Sequence, residues 1–217
     1  MPHPTQVAAR RAGAARVGAL AAALLVATLN TGARAGTPTE ELRVQTDRVL
    51  AVLHSPTMSP AQRRAAVRDI AVETFDLTET SRRALGVHWQ QRTPAEREEF
   101  VGLFRDLLEQ TYVARIDEYG GESLEYLTES VDGDSAIVRA QILTKTGVAV
   151  PVESRLNLRN GRWLIYDVVI LNMSLVSNYR AQFDRIIRSG SYEELVKRLR
   201  DRVAQLSARP PRTLPHR

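Results

Sequence analysis

NGRWLIYDVVILNMSLVSNYRAQF, residues 160–183, is the stretch whose reading decides the fold. Asn160-Gly161 predicts a tight hairpin turn with two backbone positions at φ > 0, a conformation that Asn and Gly adopt with least strain. Trp163 to Ile170 follows as a run of β-formers, too apolar on both faces for an exposed strand. Asn172 breaks the run, and Leu175, Val176, Tyr179 and Phe183 then fall on one side of a helix. A buried strand therefore feeds directly into a helix that carries Asn178 and Arg180 beside its apolar stripe.

Working outward toward the N-terminus, three more strands are expected. Residues 122–130 have the weakest pattern. Asp132-Gly133 turns the chain into 135–144, where Ala136, Val138, Ala140 and Ile142 share one face and Arg139 and Gln141 the other. Thr146-Gly147 turns it again, into Val148, Val150, Val152, Leu156 and Leu158 opposed by Glu153, Arg155 and Asn157. The four strands form an antiparallel meander with one clean apolar face.

Helices flank the meander on both sides. Leu42, Val49, Leu50 and Leu53 recur at helical spacing over 39–53, and Ser59-Pro60 supplies an N-cap and first position for a second helix through Phe75. A short helical stretch then ends near Gly86. Thr93-Pro94-Ala95-Glu96 is a capping box with Pro at the first helical position, the strongest start signal in the chain. The helix it opens aligns Phe100, Leu103, Phe104, Leu107, Leu108, Thr111, Tyr112 and Ile116, a stripe that must lie against something large and apolar. Gly120-Gly121 ends it. After the central stretch, Ser191 and Glu194 make a second capping box ahead of a last helix with Leu195, Val196, Leu199, Val203 and Leu206.

The N-terminus reads as an export signal. Arg10, Arg11 and Arg16 precede an apolar run from Val17 to Thr28, and Ala33-Arg34-Ala35 fits a cleavage site before Gly36. The run is short of the roughly 20 residues that span a bilayer. An uncleaved anchor is the alternative. The chain then divides into a signal segment 1–35, a folded domain 36–207 and a disordered tail 208–217. No cysteine occurs, which excludes a lipid-anchored lipoprotein, a disulfide framework and a thiol nucleophile.

The formal charge of +5 at pH 7 belongs to the two ends. Arg10, Arg11, Arg16 and Arg34 lie in the signal segment, and Arg209, Arg212 and Arg217 in the tail. The part between is left slightly acidic, with no basic stripe interleaved with aromatics, so nucleic acid is not an expected partner.

Helices, then a four-stranded antiparallel sheet, then helices again make an α+β fold of the cystatin/NTF2-like cone type, in which the sheet is wrapped by helices around an apolar cavity. The helix from Pro94 to Tyr119, the strand Trp163-x-x-Tyr166-Asp167-Val168 and the helix start Ser174 to Phe183 occur in the order and spacing of one family. In these elements the chain resembles the MlaC-type (toluene-tolerance) proteins, periplasmic carriers of phospholipid. It departs at Asn172-Met173, where the family usually has a Gly-Val step before the Ser. The resemblance implies a phospholipid ligand, an inner-membrane ABC transporter with an MCE-domain protein on one side, and an outer-membrane lipoprotein–porin complex on the other. It implies no cofactor and no metal. The wall of the cavity is expected from the inward strand faces and the long helix: Leu103, Leu107, Tyr112, Val138, Ala140, Ile142, Val150, Val152, Tyr166 and Val168.

A catalytic alternative rests on Asp167, the one acid within the fourth strand and a candidate general base on a small apolar substrate. Strand alternation places it on the face of Trp163 and Ile165, away from Tyr166 and Val168, with Arg139 or Arg155 available to pair with it. Ser174 lacks the G-x-S-x-G elbow and reads as the N-cap of the helix from Leu175. His54 and His88 have no metal-ligand spacing. A ligand-free periplasmic adaptor with a packed interior is a third reading. Export of the full chain should yield a mature protein that begins at or near Gly36. N-terminal sequencing that finds Met1 or the apolar run still attached would remove the cleaved-signal reading.

Overall fold

A computed structural model describes residues 36–118 and 120–208. The expected signal segment 1–35, Tyr119 and the tail from 209 lie outside the described residues. The chain forms α1 (Pro38–Leu53), α2 (Pro60–Thr74), α3 (Leu77–Leu85), a 3₁₀ segment (Gly86–Gln91), α4 (Pro94–Tyr112) and a second 3₁₀ segment (Val113–Glu118). Then come β1 (Ser123–Asp132), β2 (Ser135–Leu143), β3 (Ala149–Arg159), β4 (Arg162–Ile170), β5 (Met173–Ser174), α5 (Leu175–Ser189) and α6 (Tyr192–Ser207). Thr37, Ser59 and Thr93 each cap a helix with a full capping box and a Pro inside its first turn, so three helix starts are fixed by local chemistry.

The sheet is antiparallel throughout, in the order β1-β2-β3-β4-β5. Four strands were expected; the fifth is the two-residue β5, joined to β4 by a turn at Leu171-Asn172. Both turn residues have positive φ, 50° and 63°, as do Asn160 (51°) and Gly161 (77°) in the β3–β4 hairpin. Asn and Gly accept that geometry readily, whereas a bulky Leu does not.

Two apolar cores form. One joins α3, α4, α5 and α6 around Phe100, Phe104, Leu107, Phe183, Leu195 and Leu199. Its centre is an aromatic cluster in which Phe183 meets Phe100 and Phe104 edge-on at 5.6 and 5.3 Å. The other joins α1 to the sheet through Leu42, Ala136, Val138, Leu156, Trp163 and Ile165. The sheet therefore packs beneath α1 and α2, and the stripe of the long helix α4 turns to α5 and α6 instead. An amphipathic stripe specifies that a helix has an apolar face but not which partner covers it.

A β-bulge joins the two layers. Arg155 pairs with Asp167 and Leu156 with Ile165, which leaves Tyr166 as an extra residue in β4. Alternation changes phase there. Trp163 and Ile165 stay in the core under α1, Val168 takes the inner face opposite Ser154, and Asp167 turns to the outer face opposite Arg155. The expected placement of Asp167 with Trp163 and Ile165 is thus corrected. At 3% exposure its carboxylate accepts hydrogen bonds from Arg155 Nη1 (3.2 Å), Ser174 Oγ (2.7 Å) and the Val176 backbone N–H (3.0 Å). Ser174 also caps α5, accepting from Ser177 N–H as its sequence position predicts. An anion at this helix start is favoured by the unpaired N–H groups and the helix dipole. Arg139 pairs with Glu153 instead of Asp167.

Asp167→Asn should cost about 1–3 kcal/mol, because a buried carboxylate that answers three donors is replaced by a neutral amide. A denaturant midpoint unchanged from wild type would contradict this. Leu171→Gly should leave stability unchanged or raise it by up to about 1 kcal/mol, since relief of the left-handed strain outweighs the backbone entropy of Gly. A fall in melting temperature would show instead that the Leu171 side chain packs.

Candidate functional site

The inner face of the sheet is apolar from β1 to β4, and its helical cover does not fill the space beneath it. A cavity of about 360 Å³ lies between α1, α2 and the sheet. Leu42, Leu50, Leu53, Val67 and Ile70 form its helical wall, and Leu124, Val138, Ala140, Val152 and Ile165 its sheet wall. Among the described residues, no Arg, Lys, Asp, Glu or His lines it. Several of its polar groups are engaged: Tyr126 Oη lies 2.8 Å from Thr46 Oγ1, Thr74 Oγ1 donates to Ile70 O, and Gln45 Nε2 donates to Glu41 Oε1. Burial raises the Tyr126 phenol above its ordinary range, so it stays neutral at physiological pH.

The second cavity, about 230 Å³, lies between α2, the last turns of α4, the end of β4 and the start of α5. Val72, Phe75, Leu108, Tyr112, Val168 and Leu175 contribute apolar surface, and Arg68, Arg105 and Glu109 are its charged residues. Ala71 and Phe75 belong to both cavities, so the two abut at the end of α2. Phe75 is held there by a β-bridge to Ile165 and by the Asp76 N–H, which donates to Ile165 O at 2.8 Å. The rim carries exposed apolar side chains. Val72, Tyr112 and Ile170 line the cavity and are each about half exposed, while Leu171 and Met173, at 56% and 67%, stand in the adjoining β4–β5 hairpin.

The residues expected to form one wall are distributed over several places. Val138, Ala140 and Val152 line the larger cavity, and Tyr112 and Val168 the smaller. Ile142 and Val150 pair with each other on the same sheet face but beyond the lining. Leu103 and Leu107 belong to the helical core with α5 and α6, because the stripe of α4 faces that way. Tyr166, as the bulge residue, leaves the inner face. Its ring lies under the Arg83 guanidinium at 3.9 Å and its carbonyl accepts from Thr80 Oγ1. The lining from α1 and α2 was not anticipated, although the spacing of Leu42, Leu50 and Leu53 was its signal.

Other candidate groups have structural partners. Arg180 Nε donates to Arg83 O at 2.7 Å and ties α5 to the end of α3. His88 Nε2 lies 2.9 Å from Asp184 Oδ1. Asp167 lines neither cavity. Among the described residues no group of three or more His, Asp or Glu side chains could hold a metal ion.

Known proteins share this architecture. A solved phospholipid-binding protein from Ralstonia solanacearum, in complex with a phospholipid, superposes with a TM-score of 0.70 over 79% of this chain and 99% of that one, at 24% identity. That likeness is one of fold. The intermembrane phospholipid transport system binding protein MlaC of Haemophilus influenzae is 23% identical over 152 residues, 67% of this chain and 71% of that protein. The sequence model of the MlaC protein family matches residues 43–201, from α1 to α6 and across nearly all of the lining of both cavities. The chain belongs to the MlaC protein family.

Proposed function

We propose that this protein is a periplasmic phospholipid carrier that shuttles lipid between the outer- and inner-membrane components of a lipid-asymmetry transport system. The observation that carries the reading is the pair of abutting cavities, one without a charged side chain among the described residues of its wall and both open at the surface of the fold. The names of the Haemophilus and Ralstonia proteins support it, the first as part of a phospholipid transport system and the second with a phospholipid bound. The acyl chains occupy the cavities, walled by Val138, Ala140 and Val152 on one side of Phe75 and by Tyr112 and Val168 on the other.

Energetics favour shuttling over permanent capture. Moving an acyl chain from water into protein gains roughly 0.8 kcal/mol per CH₂, which would hold a two-tailed lipid almost irreversibly against water. Transfer from a bilayer or from another apolar tunnel is close to balanced, since both environments are dry. Release then needs a docked partner that continues the apolar path. An inner-membrane ABC transporter with an MCE-domain protein and an outer-membrane lipoprotein–porin complex fill those roles. No helix among the described residues is long and apolar enough to cross a membrane, in keeping with a carrier that moves between such partners. The reading includes no catalytic turnover: Asp167 is engaged by Arg155, Ser174 and Val176 and lines neither cavity.

Native mass spectrometry of the exported protein should find a diacyl lipid bound, whereas a clean apo mass would favour a ligand-free adaptor. Val152→Trp should lower the lipid content of a protein that still folds, because Val152 faces the larger cavity and is only partly buried. Val138→Trp should fold less well, by about 1–3 kcal/mol or more, because Val138 is 1% exposed and already packed. Equal destabilisation by both changes, with lipid content untouched, would argue for a packed interior without a ligand.

A further inference from the structure

The two cavities share the inner face of the sheet and are parted by α2. Val152 and Ser154 of β3 line the larger, and their ladder partners on β4, Ile170 and Val168, line the smaller. The sheet wall therefore passes from one cavity to the other within a single strand pair. On the helical side, α2 gives Val67, Ile70 and Thr74 to the larger cavity and Arg68 and Val72 to the smaller. Among the described residues, Ala71 and Phe75 alone line both. They stand one helical turn apart on the same face, and since Ala71 contributes a single methyl group, the Phe75 ring is the bulk of the division.

The backbone beneath that ring is fixed. Phe75 N–H donates to Ala71 O at 3.0 Å, Phe75 forms a β-bridge with Ile165, and Asp76 N–H donates to Ile165 O at 2.8 Å. Asp76 in turn caps α3, its Oδ1 accepting from Glu79 N–H at 2.8 Å. The ring itself is only partly buried, with a cavity on either side where a core aromatic has close neighbours. It contributes less packing than such a residue and stands as a wall within apolar space.

We infer that Phe75 is a specificity-determining residue for the hydrocarbon of the ligand: its ring closes each cavity toward the other, so that a chain lying in either one is stopped there and lipids are selected by chain length. This rests on the carrier reading and adds to it which lipids the site takes. A chain too long for its cavity must displace the ring from an anchored backbone or leave methylenes in water, and each methylene left out forgoes its transfer from water. A smaller side chain in place of Phe75 lengthens both cavities, and a larger one in place of Ala71 shortens them.

The test incubates the exported protein with vesicles of dioleoyl and dierucoyl phosphatidylglycerol in equal amounts, the erucoyl chain being the longer, and reads the ratio of the two bound lipids by native mass spectrometry. Wild type should take the dioleoyl lipid in preference. Phe75→Leu should raise the dierucoyl-to-dioleoyl ratio about tenfold, equivalent to about 1.4 kcal/mol. Ala71→Leu should lower the ratio. A merely structural role would lower both lipids at a constant ratio, so shifts of opposite sign mark the division itself. A ratio equal to wild type in either variant, or moved the same way in both, overturns the assignment. Should Phe75→Leu fail to fold, an unchanged ratio in Ala71→Leu overturns it alone. Uptake of both lipids by wild type without preference overturns the role of Phe75 only, whereas uptake of neither overturns the carrier reading.

Discussion

The Asp167 carboxylate is the point on which the two halves of the fold depend. It sits on the sheet, opposite Arg155, and receives the Ser174 hydroxyl and the Val176 N–H of the helix that follows. Without it the first turn of α5 would present buried donors to no acceptor, and Arg155 would keep only Glu153. Because α5 carries Phe183 and Tyr179 into the helical core, the position of that core relative to the sheet is set by this junction. The bulge at Tyr166 makes it possible. An unbulged β4 would aim Asp167 into the apolar core beside Ile165, where a charge has no partner.

The same shift in phase extends the apolar inner face beyond the first core. Val168 and Ile170 point inward after the bulge and become the wall of the second cavity. The edge of β4 would otherwise be open there. It is covered by β5 at Val169 and Ile170 and by the Phe75–Asp76 segment at Ile165, so no long unpaired strand edge remains beside the opening. Apolar voids of a few hundred Å³ are not casual features of a domain this size. Apolar surface left facing such openings forgoes the burial that close packing would give it. The helical core, which contains Phe100 and Phe104 at 0% exposure, supplies close packing away from the cavities. One layer holds the fold and the other is free to stay hollow.

What could be read from the sequence was whatever short-range chemistry determines. Thr93-Pro94-Ala95-Glu96 and Ser59-Pro60 start helices because cap, Pro and N3 residue lie within one turn of each other. Asn160-Gly161 makes its turn for the same reason. The partner of α4 was not legible, since Leu103 and Leu107 are equally apolar whether they face a sheet or a helix pair. Nor was the bulge, because no Gly or Pro marks it; extrapolated alternation puts Tyr166 on the cavity wall and Asp167 on the face of Trp163 and Ile165, whereas the bulge takes Tyr166 off the wall and sets Asp167 on the opposite face from those two. The wall from α1 and α2 is not legible in the sequence, because the helical spacing of Leu42, Leu50 and Leu53 does not distinguish a filled interior from an empty one.

The hairpin at Leu171-Asn172 shows the remaining step from packing to function. Two unfavourable features coincide there: a bulky residue in the left-handed region, and an apolar cluster of Ile170, Leu171 and Met173 left in solvent. Each alone is common enough on a protein surface. Together, at the rim of a cavity whose wall continues through Ile170, they form an apolar path from the interior to the outside of the fold. A polar or glycine turn would satisfy the backbone there better. Under the carrier reading proposed above, that path would let acyl chains meet apolar surface as they emerge from the cavity.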